Sequence, residues 1–231
     1  MLTPTNLANH STTTKRRELD FYPTPPEVTH ALMRFLKLST NLRILEPACG
    51  TGEMAEVIRM YNKEVYAYDI RETGYRYNQN KPQDFLTEQW SFDAIITNPP
   101  FNLAEQFIRH ALNQAPIVAM LLKSQYWHAK TRTPLFKEHP PAWVLPLNWR
   151  PDFRAGELGG SPTMEVAWTV WDADCTDTRY RILEKPDMNR IDADLWARAE
   201  LRKDWCIAED TPDLWAKHPF FKPKEEEDDL C

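Results

Sequence analysis

Between residues 24 and 60 the apolar positions change their period. Thr24-Pro25-Pro26-Glu27 has the spacing of a capping box with proline at the first helical position, and Val28, Ala31, Leu32, Phe35 and Leu36 then recur at i, i+3, i+4, i+7 and i+8. This spacing predicts an amphipathic helix over Pro25 to Leu38. Four apolar bursts too short for helices follow, at Arg43 to Glu46, Val65 to Ile70, Ala94 to Thr97 and Ile117 to Leu122, with helical patterns at Met54 to Met60 and Leu103 to Gln114 between them. Buried strands alternating with helices predict an α/β fold, a mostly parallel sheet flanked by helices. Trp143 to Leu147 and Val166 to Trp171 read as further strands that give the sheet an antiparallel end. Beyond Asp172 prolines interrupt the pattern, and Ala193 to Lys203 is the one further helix expected.

The chain has 231 residues, 42% of them hydrophobic, enough for one substantial core. Residues 1–20 are rich in Thr, Asn and Ser and are expected to form a flexible segment, 21–172 the main domain, and 173–231 an irregular, acidic C-terminal extension. No apolar run exceeds the six residues Ile117 to Leu122, against about 20 needed for a membrane helix, and the first twenty residues hold no secretory apolar region. A membrane protein is excluded on this reading. Cys49, Cys175, Cys206 and Cys231 lack CxxC spacing and the six histidines lack ligand spacing, so neither a metal site nor a disulfide framework is expected, and a cytoplasmic location is. Formal charge is −6, but residues 173–231 carry the whole acidic excess and 1–172 hold 18 charges of each sign. The main domain is neutral, which leaves a nucleic-acid partner open.

Two motifs carry chemistry. In Ile44-Leu45-Glu46-Pro47-Ala48-Cys49-Gly50-Thr51-Gly52 a strand runs into a tight glycine turn and then a helix, the place at which a doubly wound sheet binds nucleotides. Asp69, 17 residues after Gly52 near the end of the next strand, is placed to accept hydrogen bonds from two ribose hydroxyls. Ala55 stands where a dinucleotide fingerprint has its third glycine, so the turn alone does not decide which nucleotide binds. The second motif, Asn98-Pro99-Pro100-Phe101, ends a short strand with two prolines that stiffen a loop and point its groups toward the crevice.

In this order the motifs resemble those of the class I S-adenosylmethionine-dependent methyltransferases that act on amino or amide nitrogen, over about Phe21 to Asp172. The arrangement is similar to the gamma order of DNA adenine-N6 methyltransferases of phage or prophage type. The resemblance implies a Rossmann-like sheet and S-adenosyl-L-methionine as cofactor. It implies that Gly50, Gly52 and Ala48 line the methionine part, with Glu46 near its amino group. Asp69 would bind the ribose, Asp84 or the Phe85 backbone would meet the adenine, and Phe21, Tyr22 and Pro23 would close over the cofactor. Asn98 and the Pro99 carbonyl would accept hydrogen bonds from the target amino group, in a loop held by Pro100, and Phe101 would stack on the flipped base.

Between Lys123 and Arg154 basic residues outnumber acidic ones and interleave with aromatics; Lys123, Tyr126, Trp127, Lys130 and Arg132 are the expected substrate contacts, offering phosphate partners and stacking platforms. DNA is the expected partner. RNA adenine, a protein glutamine amide, or a non-catalytic binding protein of the same fold are the alternatives, and the oligomeric state stays open. Trp168 and Trp171 are expected in the core, and Cys49 as small packing in the turn.

Overall fold

The computed structural model describes residues 22–75, 82–153, 164–175 and 177–190; Phe21, Arg154 and the Ala193 to Lys203 segment lie outside them. Helix α1 (Pro26–Leu36) buries Val28, Ala31, Leu32 and Met33, the face set by the apolar spacing. It begins without the predicted capping box. Pro25 takes the N-cap position with no side-chain cap bond, and the Thr24 hydroxyl is held elsewhere. Its end comes before Leu38, because Lys37 turns left-handed (φ 49°) and donates its N–H to the Met33 carbonyl at 3.1 Å.

Among the described residues seven strands follow, β1 (Arg43–Glu46), β2 (Glu64–Ala67), β3 (Ala94–Thr97), β4 (Ile117–Lys123), β5 (Trp143–Pro146), β6 (Val166–Asp172) and β7 (Arg179–Tyr180), in the sheet order β2-β1-β3-β4-β6-β5-β7. Strands β1 to β4 pair in parallel, whereas β6 runs antiparallel between β4 and β5. The antiparallel end is thus present, with β6 inserted into it rather than added after β5. Helices α2 (Glu53–Tyr61) and α3 (Ala104–Leu112) agree with the apolar pattern, and α4 (Thr133–Glu138) and β7 went unpredicted because each is too short to show a period.

Side chains alternate along the strands between two cores. Ile44, Ala94, Ile96, Ala119 and Leu121 face α1 and α2; Leu45, Ile95, Val118, Met120 and Leu122 face α3. Trp168 is fully buried and its indole N–H donates to the Val28 carbonyl at 3.1 Å, tying α1 to β6 across 140 residues; Trp171 is buried in the second core. Strand β2 stops at Ala67 rather than Ile70, since the Asp69 carboxylate turns inward to backbone donors and Ile70 turns out, 58% exposed. Past Asp172 the chain still adds β7 and a bridge from Leu183 to Leu147. Among the described residues no helix is long and apolar enough to cross a membrane, and no cluster of His, Cys, Asp or Glu could hold a metal ion.

His30 makes the fold acid-sensitive. Its ring is 1% exposed, bonds the Tyr61 hydroxyl at 3.0 Å through Nδ1, and is held at a pKa of about 4 by burial and then by Arg34. The unfolded chain takes up this proton near 6.5, so stability present above that pH is lost as pH falls toward 4, by up to about 3 kcal/mol. Denaturant melts between pH 7 and 4 should show this slope, and His30→Gln should flatten it.

Candidate active site

Chain order reverses between β1 and β3: β1 leads to β2 on one side and β3 to β4 on the other, so a crevice opens at the carboxyl ends of β1 and β3. Both motifs meet there. After β1 the backbone enters the glycine turn, where Gly50 (φ 53°) donates its N–H to Asp69 Oδ2 at 2.9 Å and Gly52 (φ 97°) becomes the N-cap of α2. A Cβ on Gly52 would lie 2.3 Å from the Tyr75 ring. Glycine is therefore required at 52 by backbone and packing, and Gly52 faces Tyr75 rather than the cavity.

Glu46 ends β1 wholly enclosed. The Ala55 backbone N–H at the start of α2 donates to its carboxylate, while Oε2 is buried with no partner. Burial pushes its pKa well above the usual carboxylate range, and the nearby Glu53 and Asp69 charges push it further. Cys49 beside it is buried, and its thiol is likewise raised, first by burial; it is packing, with no thiolate to offer.

Asp69 is 3% exposed, and the Arg71 backbone N–H and Nε both donate to its Oδ1 at 2.9 Å. Its Oδ2 accepts Gly50 and a longer 3.3 Å contact from Arg71 Nη2. That 3.3 Å contact is the longest of the four that Asp69 accepts. Arg71 was missed by the sequence reading, in which its place two residues after the acid was the only signal.

The second motif closes the other wall. Asn98 Nδ2 donates to Thr24 Oγ1 at 3.1 Å and to the Tyr22 carbonyl at 3.4 Å. Phe101 has the Tyr22 ring 5.9 Å away on one side and Lys123 Nζ 3.9 Å from its centroid. Of the expected site residues, Tyr22, Pro23, Glu46, Ala48, Gly50, Asp69, Asp84, Phe85, Asn98 and Pro100 line one cavity, and Thr24, Arg71, Gln83 and Asn102 join them unpredicted. Gly52, Pro99 and Phe101 are not among the lining residues.

The basic aromatic segment is rearranged relative to expectation. Tyr126 is buried in the second core, 6% exposed, and Arg132 both donates to its carbonyl at 2.6 Å and lies 3.8 Å over its ring. Tyr126 is thus no surface platform, because its faces are already covered. Trp127 stacks on Phe136 at 4.3 Å, Lys123 sits at the Asn98 motif, and Lys130 and Lys137 are exposed.

A crevice at the strand reversal, a glycine turn after β1 and an antiparallel β6 inserted in a parallel sheet define a Rossmann-like fold, the fold of the class I methyltransferases among the solved structures below. No protein-family model and no curated protein matches the chain by sequence. Solved structures do. A type I restriction-modification methyltransferase subunit from Streptococcus thermophilus superposes with a TM-score of 0.56 at 12% identity, over 77% of this chain and 53% of that one. A candidate RNA methyltransferase from Pyrococcus horikoshii gives 0.54 at 15% identity, over 66% and 86%. A candidate class I S-adenosylmethionine-dependent methyltransferase from Listeria monocytogenes gives 0.50 at 16%, over 77% and 70%. The chain spans about half the length of the restriction-modification subunit it matches.

Proposed function

We propose that the protein transfers the methyl group of S-adenosylmethionine to the N6 amino group of adenine in DNA. The observation that carries this reading is the junction of an enclosed, unpartnered Glu46 oxygen with the Asn98 amide in one cavity. An ammonium is the natural complement of that oxygen, and Asp69 offers an acceptor to a ribose diol, so the residues fit the cofactor. Ala48 and Gly50 would lie along its methionine part, Asp84 and Phe85 along its adenine. When bound, the cofactor supplies an electrophilic sulfonium methyl. An exocyclic amino nitrogen is a weak nucleophile because its lone pair is delocalised into the ring. Asn98 Oδ1 and the Pro99 carbonyl, accepting its two hydrogens, favour the pyramidal nitrogen whose lone pair can attack, while Phe101 supports the base. Restriction-modification subunits among the structural neighbours support a DNA substrate.

The test is mass spectrometry of nucleosides from DNA and RNA, and of peptides from bulk protein, each incubated separately with the chain and isotopically labelled cofactor. Labelled N6-methyladenine from DNA is the expected result. Label in RNA adenine or in protein glutamine would replace the substrate assignment, and no label in any of them would overturn the reading. Exposed Lys130 and Lys137 are expected to meet phosphates, so Lys130→Gln and Lys137→Gln should each reduce the salt slope of DNA binding by about one unit.

A further inference from the structure

We infer that Thr24 is a positioning residue for Asn98, holding still an amide whose oxygen-outward sense the Tyr22 carbonyl sets; the inference rests on the role proposed for Asn98 above. An asparagine amide offers an acceptor on one side and two donors on the other, and a half-turn exchanges them. Here both donors have partners. Thr24 Oγ1 at 3.1 Å and the Tyr22 carbonyl at 3.4 Å accept from Nδ2, and both lie on the short segment ahead of α1. Turning the amide over would set Oδ1 against the Tyr22 carbonyl, two acceptors face to face. Oδ1 is therefore the end left for the cavity that Asn98 lines.

Thr24 can serve in this way because α1 does not use it. Proline at the N-cap makes no side-chain cap bond, so the hydroxyl that sequence assigns to capping the helix receives Asn98 instead. Thr24 is 5% exposed, so water does not readily replace a lost partner. The consequence is a filter on substrate chemistry. An amide held oxygen-outward suits a group bearing N–H donors, an exocyclic amino or carboxamide nitrogen, and opposes a carbonyl oxygen in the same place.

Two measurements on the full chain test this. In the first, Thr24→Val and Thr24→Ser are compared with wild type in single-turnover methylation of DNA. The valine variant should lose roughly 10- to 100-fold in rate with cofactor affinity unchanged, and the serine variant should recover most of that loss. A rate loss matched by an equal loss of cofactor affinity would overturn the inference, making Thr24 a cofactor contact. The second needs no activity. The Asn98 side-chain amide signals, recognised by NMR as the pair absent from Asn98→Asp, should exchange with solvent on the order of 10-fold faster in Thr24→Val than in wild type or Thr24→Ser. An unchanged pair overturns the inference even if DNA is methylated, whereas an altered pair beside an inactive wild type overturns the substrate reading alone. Thr24→Ala, which removes the hydroxyl without adding a methyl, replaces the valine variant if that one does not fold.

Discussion

Asn98→Ala should lower turnover by about 100-fold or more, ~2.7 kcal/mol, while leaving cofactor affinity within about a factor of two. The separation follows from what the side chain touches. Its amide nitrogen is held by Thr24 and Tyr22 of the protein, and only its oxygen is left for the reacting group. An acceptor gains importance as the target nitrogen acquires positive charge, so its removal is felt in the transition state more than in the ground state. Phe101→Ala should differ in kind. Losing a ring that supports a flipped base weakens duplex substrate more than unpaired substrate, where no extrusion is needed. Single-turnover rates with cofactor titrations by calorimetry check both variants; a wild-type rate in Asn98→Ala would remove the motif from the chemistry.

Glu46→Gln should weaken S-adenosylmethionine binding by roughly 1.5 to 3 kcal/mol and at the same time raise the melting temperature at neutral pH. Both effects have one origin. The buried carboxylate keeps one oxygen unpartnered and its pKa is raised by burial, Glu53 and Asp69, so folding bears the cost of a charge that a cationic ligand would relieve. The sign with pH is definite. A carboxyl whose folded pKa lies above the unfolded 4.5 contributes stability that is full below 4.5 and lost as pH rises through the folded value. The advantage of Glu46→Gln should therefore be small at pH 4 and grow toward pH 8 in scanning calorimetry. Below the folded pKa, cofactor binding should release a proton, seen as binding heats that depend on the buffer's ionisation enthalpy. A melting temperature unchanged across that range would show that Glu46 bears no such cost.

How much of this was legible beforehand varied with the physics of each part. β1 and β3 matched at both ends because their apolar runs are bounded by polar residues, and the helices differed by one or two residues at frayed or proline-bounded ends. The site was readable where a residue type is nearly obligatory: a left-handed Gly50, an acid after the second strand, a stiff Asn-Pro-Pro loop. It was unreadable where a side chain is held by a partner distant in sequence. Nothing near Thr24 announces Asn98, 74 residues away, and local spacing argued for a helix cap. Tyr126 read as a surface aromatic because its neighbours are basic, yet the guanidinium of Arg132 is what covers it. The packing demand at Gly52 was unreadable for the same reason, since the Tyr75 ring that an added Cβ would strike is not a neighbour in sequence.

The hydrogen bond from Trp168 to Val28 also bears on how the chain is made. A ribosome adding about 5–20 residues per second would expose α1 for on the order of 10 s before its anchor in β6 is synthesised. During that wait Val28 and Leu32 have no completed core to cover them. A nascent or truncated chain ending before Trp168 therefore holds both chemical motifs but leaves unanchored the helix that carries the Thr24 segment. Such chains should bind chaperones and transfer no methyl groups, so that competence arrives with the arrival of β6 and not with the motifs themselves.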